Sequence, residues 1–241
     1  MKIAIVTGAS SGMGAEFIRQ IYQSYPSLDE IWMIARRKEA MDALAGEFLG
    51  NGIRLRSLPL DLTKDVDIQK LQDLLQTEKP KIRLLVNGAG VGHYGKAAEL
   101  SIEQQTRMID LNCKALTRVT LLCLPYMPDK SRILQLASGS AFLPQARFAV
   151  YAAGKSYVVS FSKALHKELK NRQITVTSAC PGPVDTEFFA NGEIDLPAWK
   201  KPFLVQPDQV VKKALKDAQA GKTLSIYGLP MKLVYVASHF I

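Results

Sequence analysis

The chain has 241 residues, 47% of them hydrophobic, with 31 Lys and Arg against 22 Asp and Glu for a formal net charge of +9. That length suits one α/β domain with a core that needs no staples, and the three cysteines, odd in number and unclustered, fit neither a disulfide framework nor a metal-ligand pattern. The charge favours anionic ligands, but no basic block or aromatic-interleaved basic stripe points to nucleic acid, and no apolar run is long enough for a signal peptide or a bilayer span, so a cytoplasmic protein is expected.

An apolar run at 3–6 predicts a buried first strand over 2–7. It turns through Gly8-Ala9-Ser10-Ser11-Gly12-Met13-Gly14 into a predicted helix over 12–25, where Phe17, Ile18, Ile21 and Tyr22 recur at helical spacing. Glycines permit the tight turn and a close backbone approach, while free N–H groups and the helix dipole hold negative charge. Gly8, Ser10, Ser11, Gly12, Met13 and Gly14 are therefore candidates to cradle a pyrophosphate. Their spacing, G-x-x-x-G-x-G behind Thr7, differs from the common G-x-G-x-x-G fingerprint.

Further strands are expected at 30–35, 53–60, 82–87, 132–137, 174–180 and 223–227, and helices at 38–50, 64–78, 101–124, 151–171 and 207–220. Wholly apolar strands alternating with helices predict a parallel sheet covered on both faces, with ligands at the carboxyl ends of the strands. Small and polar residues gather at those ends: the glycine turn, Arg36-Arg37, Asp61-Leu62, Asn87-Gly88-Ala89-Gly90, Ser138 and Pro181-Gly182. The helix at 151–171 opens with Tyr151-Ala-Ala-Gly-Lys155, which puts phenol and ammonium on one face. A free tyrosine ionises near pH ~10, and a neighbouring Lys⁺ is expected to lower that value toward working pH.

In this order, Thr7-Gly8-x-x-x-Gly12-x-Gly14, Asp61-Leu62, Asn87-Gly-Ala-Gly90, Asn112, Ser138, Tyr151-x-x-x-Lys155 and Pro181-Gly-Pro-Val-Asp-Thr186 resemble the short-chain dehydrogenase/reductase family. The resemblance covers 1–228 and implies a single Rossmann-like domain, a doubly wound sheet of seven parallel strands in order 3-2-1-4-5-6-7. It implies that Ser138 holds the substrate oxygen, that Tyr151 exchanges the proton, and that Lys155 binds the nicotinamide ribose and tunes Tyr151. Asn112, whose plainer reading is a buried helix-kink asparagine, would hold a proton-relay water. By the same resemblance Asp61 and Leu62 meet the adenine, Asn87, Ala89 and Gly90 lie under its ribose, and Pro181, Gly182, Val184 and Thr186 seat the carboxamide. Gly88 replaces a second asparagine that the family usually carries, which is expected to loosen a central sheet contact.

An enzyme for NAD usually places an acid near Ala35; here none is present and two guanidiniums follow. Such a fork grips a 2′-phosphate through charge-assisted bonds, so NADP(H) is the expected cofactor, with Arg36 the primary contact and Arg37 the second. Residues 187–205, with Phe188, Phe189, Trp199 and Phe203, occupy the place of the family's substrate loop. The reading is an NADP(H)-dependent carbonyl reductase or alcohol dehydrogenase acting on a hydrophobic or ring-bearing, hydroxysteroid-like small molecule. The alternatives are a 3-oxoacyl thioester or sugar reductase, an epimerase or dehydratase, and a noncatalytic NADP-binding sensor. His93 and Tyr94 are expected at the rim, no metal is expected, and pairing of the two long helices makes a homodimer or homotetramer the expected state. The apolar tail at 229–241 could cover the cleft, dock on a neighbouring subunit, or make peripheral contact with a lipid surface.

Overall fold

Apolar residues run along both faces of each central strand, which only a sheet sandwiched between helices can bury. A computed structural model of the chain describes residues 1–48, 52–191 and 202–240. Its strands are β1 (Lys2–Thr7), β2 (Glu30–Ala35), β3 (Arg54–Pro59), β4 (Lys81–Asn87), β5 (Arg132–Leu136), β6 (Thr175–Ala179) and β7 (Leu224–Ser225). They form one seven-stranded sheet in the order β3-β2-β1-β4-β5-β6-β7, every pairing parallel, the Rossmann-like arrangement that the resemblance implied.

Alternation along the strands divides the core into two layers. Ala4, Val6, Ile31 and Met33 face α1 (Gly12–Ser24), α2 (Lys38–Gly46) and α8 (Pro207–Gln219), packing with Phe17, Ile18, Met41 and Leu215. Ile3, Ile5, Trp32 and Ile34 face the other way, toward α3 (Asp65–Glu78), α5 (Leu116–Cys123) and α6 (Ala149–Glu168), with Leu71, Val119 and Leu165. A one-residue slip of register would exchange the two sets, so the pattern fixes the pairing. Among the described residues no helix is long and apolar enough to cross a membrane.

Two expectations change. The helix foreseen over 101–124 is broken into α4 (Ile102–Ile109), a six-residue π-helical turn (Asp110–Ala115) and α5. The Asn112 side chain sits in that turn and bonds the Val91 main chain twice, Val91 N–H to Oδ1 at 2.9 Å and Nδ2 to the Val91 carbonyl at 2.8 Å. A π turn inside an α-helix commonly marks such a displaced side chain. Nor is the sheet loosened at Gly88. The Thr7 hydroxyl accepts the Gly88 and Ala89 N–H groups at 3.0 and 3.1 Å, and a Cβ at Gly88 would lie 2.7 Å from the Thr7 carbonyl oxygen. Beyond β7 the tail is helical: Gly228 turns at φ +82° into α9 (Leu229–Ala237).

Candidate active site

The carboxyl ends of the strands open into one cavity of about 1200 Å³. Its walls include the glycine turn from Gly8 to Gly14, Arg36, Arg37, Asp61, Leu62, Ala89, Gly90, Ser138, Tyr151, Lys155, and Pro181 through Val184 with Thr186. Asn87 and Asn112 do not line it. Asn87 is buried behind the strand end, its Nδ2 donating to Thr120 Oγ1 and Gln135 Oε1 at 2.9 Å each. Asn112 is buried and bonded to the Val91 backbone, and its Oδ1 and Lys155 Nζ would lie 3.1 and 3.6 Å from a Cβ on Gly90.

The glycine turn is shaped for a ligand's backbone contacts. Gly8 and Gly12 hold φ of +71° and +53°, a region that side chains rarely enter. Gly14 has no room for a Cβ, which would fall 2.0 Å from the Gly8 carbonyl oxygen. The Ser11 side chain makes no cap bond to α1, so the first-turn N–H groups face the cavity in the manner that binds phosphates. Thr186 closes over this turn, its Cβ 3.2 Å from where a Gly12 Cβ would stand. Arg37 donates to Ser10 Oγ at 3.3 Å and pairs with Glu187 at 3.0 Å. Burial raises the Asp61 carboxyl, but the Thr63 bonds and the Arg36 charge outweigh it and hold the group below its ordinary value. These residues fit the glycine cradle and cationic edge that a dinucleotide needs.

At the other end of the cavity stand Ser138, Tyr151 and Lys155. Ser138 caps a short turn, its Oγ accepting the Ser140 N–H at 3.1 Å. Tyr151 and Lys155 are both buried, and Lys155 Nζ donates to the Leu136 carbonyl at 2.7 Å while lying 5.5 Å from the centre of the Tyr151 ring. The expected lowering of the Tyr151 pKa does not occur here. Burial pushes the phenol up to about 12, with the Ser138 hydroxyl opposing. Burial also drives Lys155 down to about 8, against the Cys113 and Cys180 thiols. Desolvation disfavours charge on either group, and the ammonium is turned toward Leu136 rather than the phenolic oxygen.

The short chain dehydrogenase family model matches residues 2–195. The chain belongs to that family. This short chain dehydrogenase is thus an oxidoreductase that binds a nicotinamide cofactor. It is 32% identical over 187 residues to an uncharacterized oxidoreductase of Staphylococcus epidermidis, covering 77% of this chain and 79% of the relative. It superposes on a short-chain dehydrogenase from Sphingobium yanoikuyae solved with NADPH, at TM-score 0.85 and 27% identity over all of this chain and 93% of that one. A short-chain dehydrogenase from Burkholderia phymatum solved with NAD has TM-score 0.86 over 99% of this chain and 93% of its own, and at 19% identity it shows the shared fold alone.

Several residues of this dehydrogenase's site escaped the sequence reading. Phe148 stacks on Tyr151, ring centroids 4.1 Å apart and planes at 14°, and Phe188 stands 5.7 Å from the same ring. Phe148 is the residue that precedes α6, outside the helix itself, and no helical spacing marks it. Of the foreseen substrate loop, both ends are tied by a parallel bridge between Val184 and Val205, with Asp185 N–H to the Val205 carbonyl at 2.9 Å. Phe188 and Phe189 open α7 (Phe188–Asn191), while Trp199 lies outside the described residues. His93 and Tyr94 line the cavity on the loop after β4. Met231 and Val234 of α9 line it too, the cleft-covering placement among those foreseen for the apolar tail.

Proposed function

We propose that the chain is an NADP(H)-dependent reductase of apolar ketones, and the dehydrogenase of the corresponding secondary alcohols. The observation that carries this reading is the pairing within one cavity of a cationic, glycine-floored end and an apolar end. At the apolar end, the buried Tyr151 and Lys155 and the half-buried Ser138 stand among polar side chains that also include Tyr94 and Ser140, with Phe148 and Phe188 against the Tyr151 ring. Arg36 and Arg37, with no acid at Ala35, support the 2′-phosphorylated cofactor. The glycine turn would hold its pyrophosphate, Lys155 its ribose, and Val184 with Thr186 its carboxamide. When bound, the nicotinamide supplies or accepts the hydride.

This chain's own residues supply the rest. Ser138 Oγ donates to the substrate oxygen and holds it beside Tyr151. As that oxygen gains negative charge, Tyr151 Oη gives up its proton to it; in the alcohol direction the same oxygen returns it. The Phe148 ring, stacked on Tyr151, fixes the phenol and keeps water from its face. Asn112 anchors the Val91 backbone and so the floor on which Lys155 rests. Leu121 and Tyr157, exposed on the long helices, suit pairing with a second copy.

The test is oxidation of NADPH and NADH by the purified chain with aliphatic, aryl and steroid ketones, 3-oxoacyl thioesters and keto sugars. NADPH consumption with apolar ketones is the expected result. Tight NADPH binding without turnover on any class would instead favour a cofactor sensor, and NADH consumption alone would remove the 2′-phosphate argument.

A further inference from the structure

The tail leaves β7 through Gly228 and lays α9 across the apolar end of the cavity. It docks by one face: Met231 and Tyr235 pack against the small cluster around Leu116 and Ile226, with the Tyr235 ring 4.8 Å from Phe142. The opposite face, Leu229, Leu233 and Val236, is exposed, and no residue of the helix is fully buried. What Met231 touches is more informative than how the helix is held. A Cβ on Gly139 would stand 2.1 Å from Met231 Cε, and one on Gly182 would stand 3.1 Å from its Cγ and 3.2 Å from its sulfur. Gly139 follows Ser138 directly, and Gly182 lies in the segment whose Pro181 carbonyl accepts the Gly139 N–H at 2.7 Å. The thioether therefore fills the space over two bare backbone positions beside the hydroxyl assigned to the substrate oxygen. It lines the same cavity as Ser138 and Tyr151.

We infer that Met231 sets the substrate size limit: it closes the Ser138 side of the site to all but a small substituent on the carbonyl carbon. The favoured class is a ketone with one methyl-sized arm and one larger apolar arm. This inference rests on the ketone reading of the site. The physics is steric. Methionine fills irregular gaps and yields slightly, but backbone at Gly139 and Gly182 gives it nowhere to retreat. In a hydrophobic pocket each surplus or missing methylene changes specificity by about 10- to 200-fold.

The experiment uses a phenyl ketone series with methyl, ethyl and propyl arms, measured two ways: NADPH-dependent kcat/KM, and Kd from quenching of NADPH fluorescence on the loaded protein. Parent, Met231→Ala, Met231→Val and Leu233→Ala are compared; the last trims the exposed face of the same helix. The parent should lose roughly 100-fold or more in kcat/KM from methyl to propyl, two methylenes apart. Met231→Ala should bring that ratio to within about 3-fold, Met231→Val should fall between, and Leu233→Ala should keep the parental ratio. A parental ratio retained in both Met231 variants overturns the size limit and leaves the ketone reading standing. Ketones that bind with a Met231-dependent limit but are never reduced overturn the reductase reading and uphold Met231. Failure of every ketone both to bind and to react overturns both.

Discussion

Cofactor choice is the sharpest prediction, because two adjacent guanidiniums differ in what they already hold. Arg37 is paired with Glu187 at 3.0 Å, with side chains 49% and 53% exposed. A pair so exposed is worth about 0–1 kcal/mol. A 2′-phosphate offers charge-assisted bonds worth about 1.5–3 kcal/mol each, enough to draw Arg37 away at a discount equal to the lost pair. Arg36 acts on Asp61 only through its charge, since that carboxylate is already bonded by the Thr63 N–H at 3.0 Å and hydroxyl at 2.7 Å. Among the described residues Arg36 thus has no hydrogen bond or ion pair to give up, only its charge interaction with Asp61. Arg36→Ala should raise the Kd for NADPH by roughly 10- to 150-fold and leave that for NADH within about 2-fold. Arg37→Ala should cost NADPH only about 5-fold, and Glu187→Gln, which frees Arg37, should tighten it. Fluorescence titration of both cofactors at low and high salt measures this, with the arginine effects shrinking as salt screens them. Equal parental affinities, or an Arg36→Ala protein that loses both cofactors alike, would refute the reasoning.

Tyr151→Phe keeps the ring on Phe148 and removes the exchangeable proton, so turnover should fall by about 10²- to 10⁴-fold while the NADPH Kd holds; a near-parental rate would end the assignment. With the phenol pushed up to about 12, reduction, which needs the protonated form, should stay flat across the neutral range. Oxidation, which needs the phenolate, should climb by close to ten-fold per pH unit, and pH–rate profiles in both directions would show whether it does. Gly14→Ala puts a Cβ 2.0 Å from the Gly8 carbonyl; NADPH binding should weaken more than about 10-fold and Tm should drop by several degrees, read by titration and thermal denaturation.

The parallel sheet was legible because its strands are apolar on both faces, and the glycine turn because its spacing is local. Arg36 and Arg37 could be placed at a strand end without any knowledge of packing. What escaped depends on partners far away in the chain. Asn112 was legible as a buried kink residue, as the π turn shows, but its partner Val91 lies twenty-one residues distant, and no helical pattern within 101–124 encodes that partner. The tightness at Gly88 rests on the Thr7 hydroxyl, eighty-one residues away, so the missing asparagine looked like a loss when the contact that holds Gly88 lay in β1. α9 is apolar on both its faces, and its sequence does not say which one meets Gly139 and Gly182.

The Tyr151–Lys155 pair shows the same limit in its electrostatics. Spacing on a helix fixes that the two groups share a face, but the direction of a pKa shift depends on whether desolvation or the opposite charge is larger. Burial is a tertiary property, and here it prevails on both residues: the phenol goes up and the ammonium comes down. Lys155 directs one of its three N–H donors to the Leu136 carbonyl, and its ammonium stands 5.5 Å from the centre of the phenol ring. A phenol held neutral by its surroundings carries its proton before any ketone arrives. In reduction Tyr151 starts protonated and ends as the buried phenolate, and in the alcohol direction it starts as that phenolate, so both directions meet the same cost of a buried negative charge. What the raised pKa separates is the pH dependence of the two directions, flat where the phenol must be protonated and rising where it must be ionised, and the two pH profiles read that difference directly.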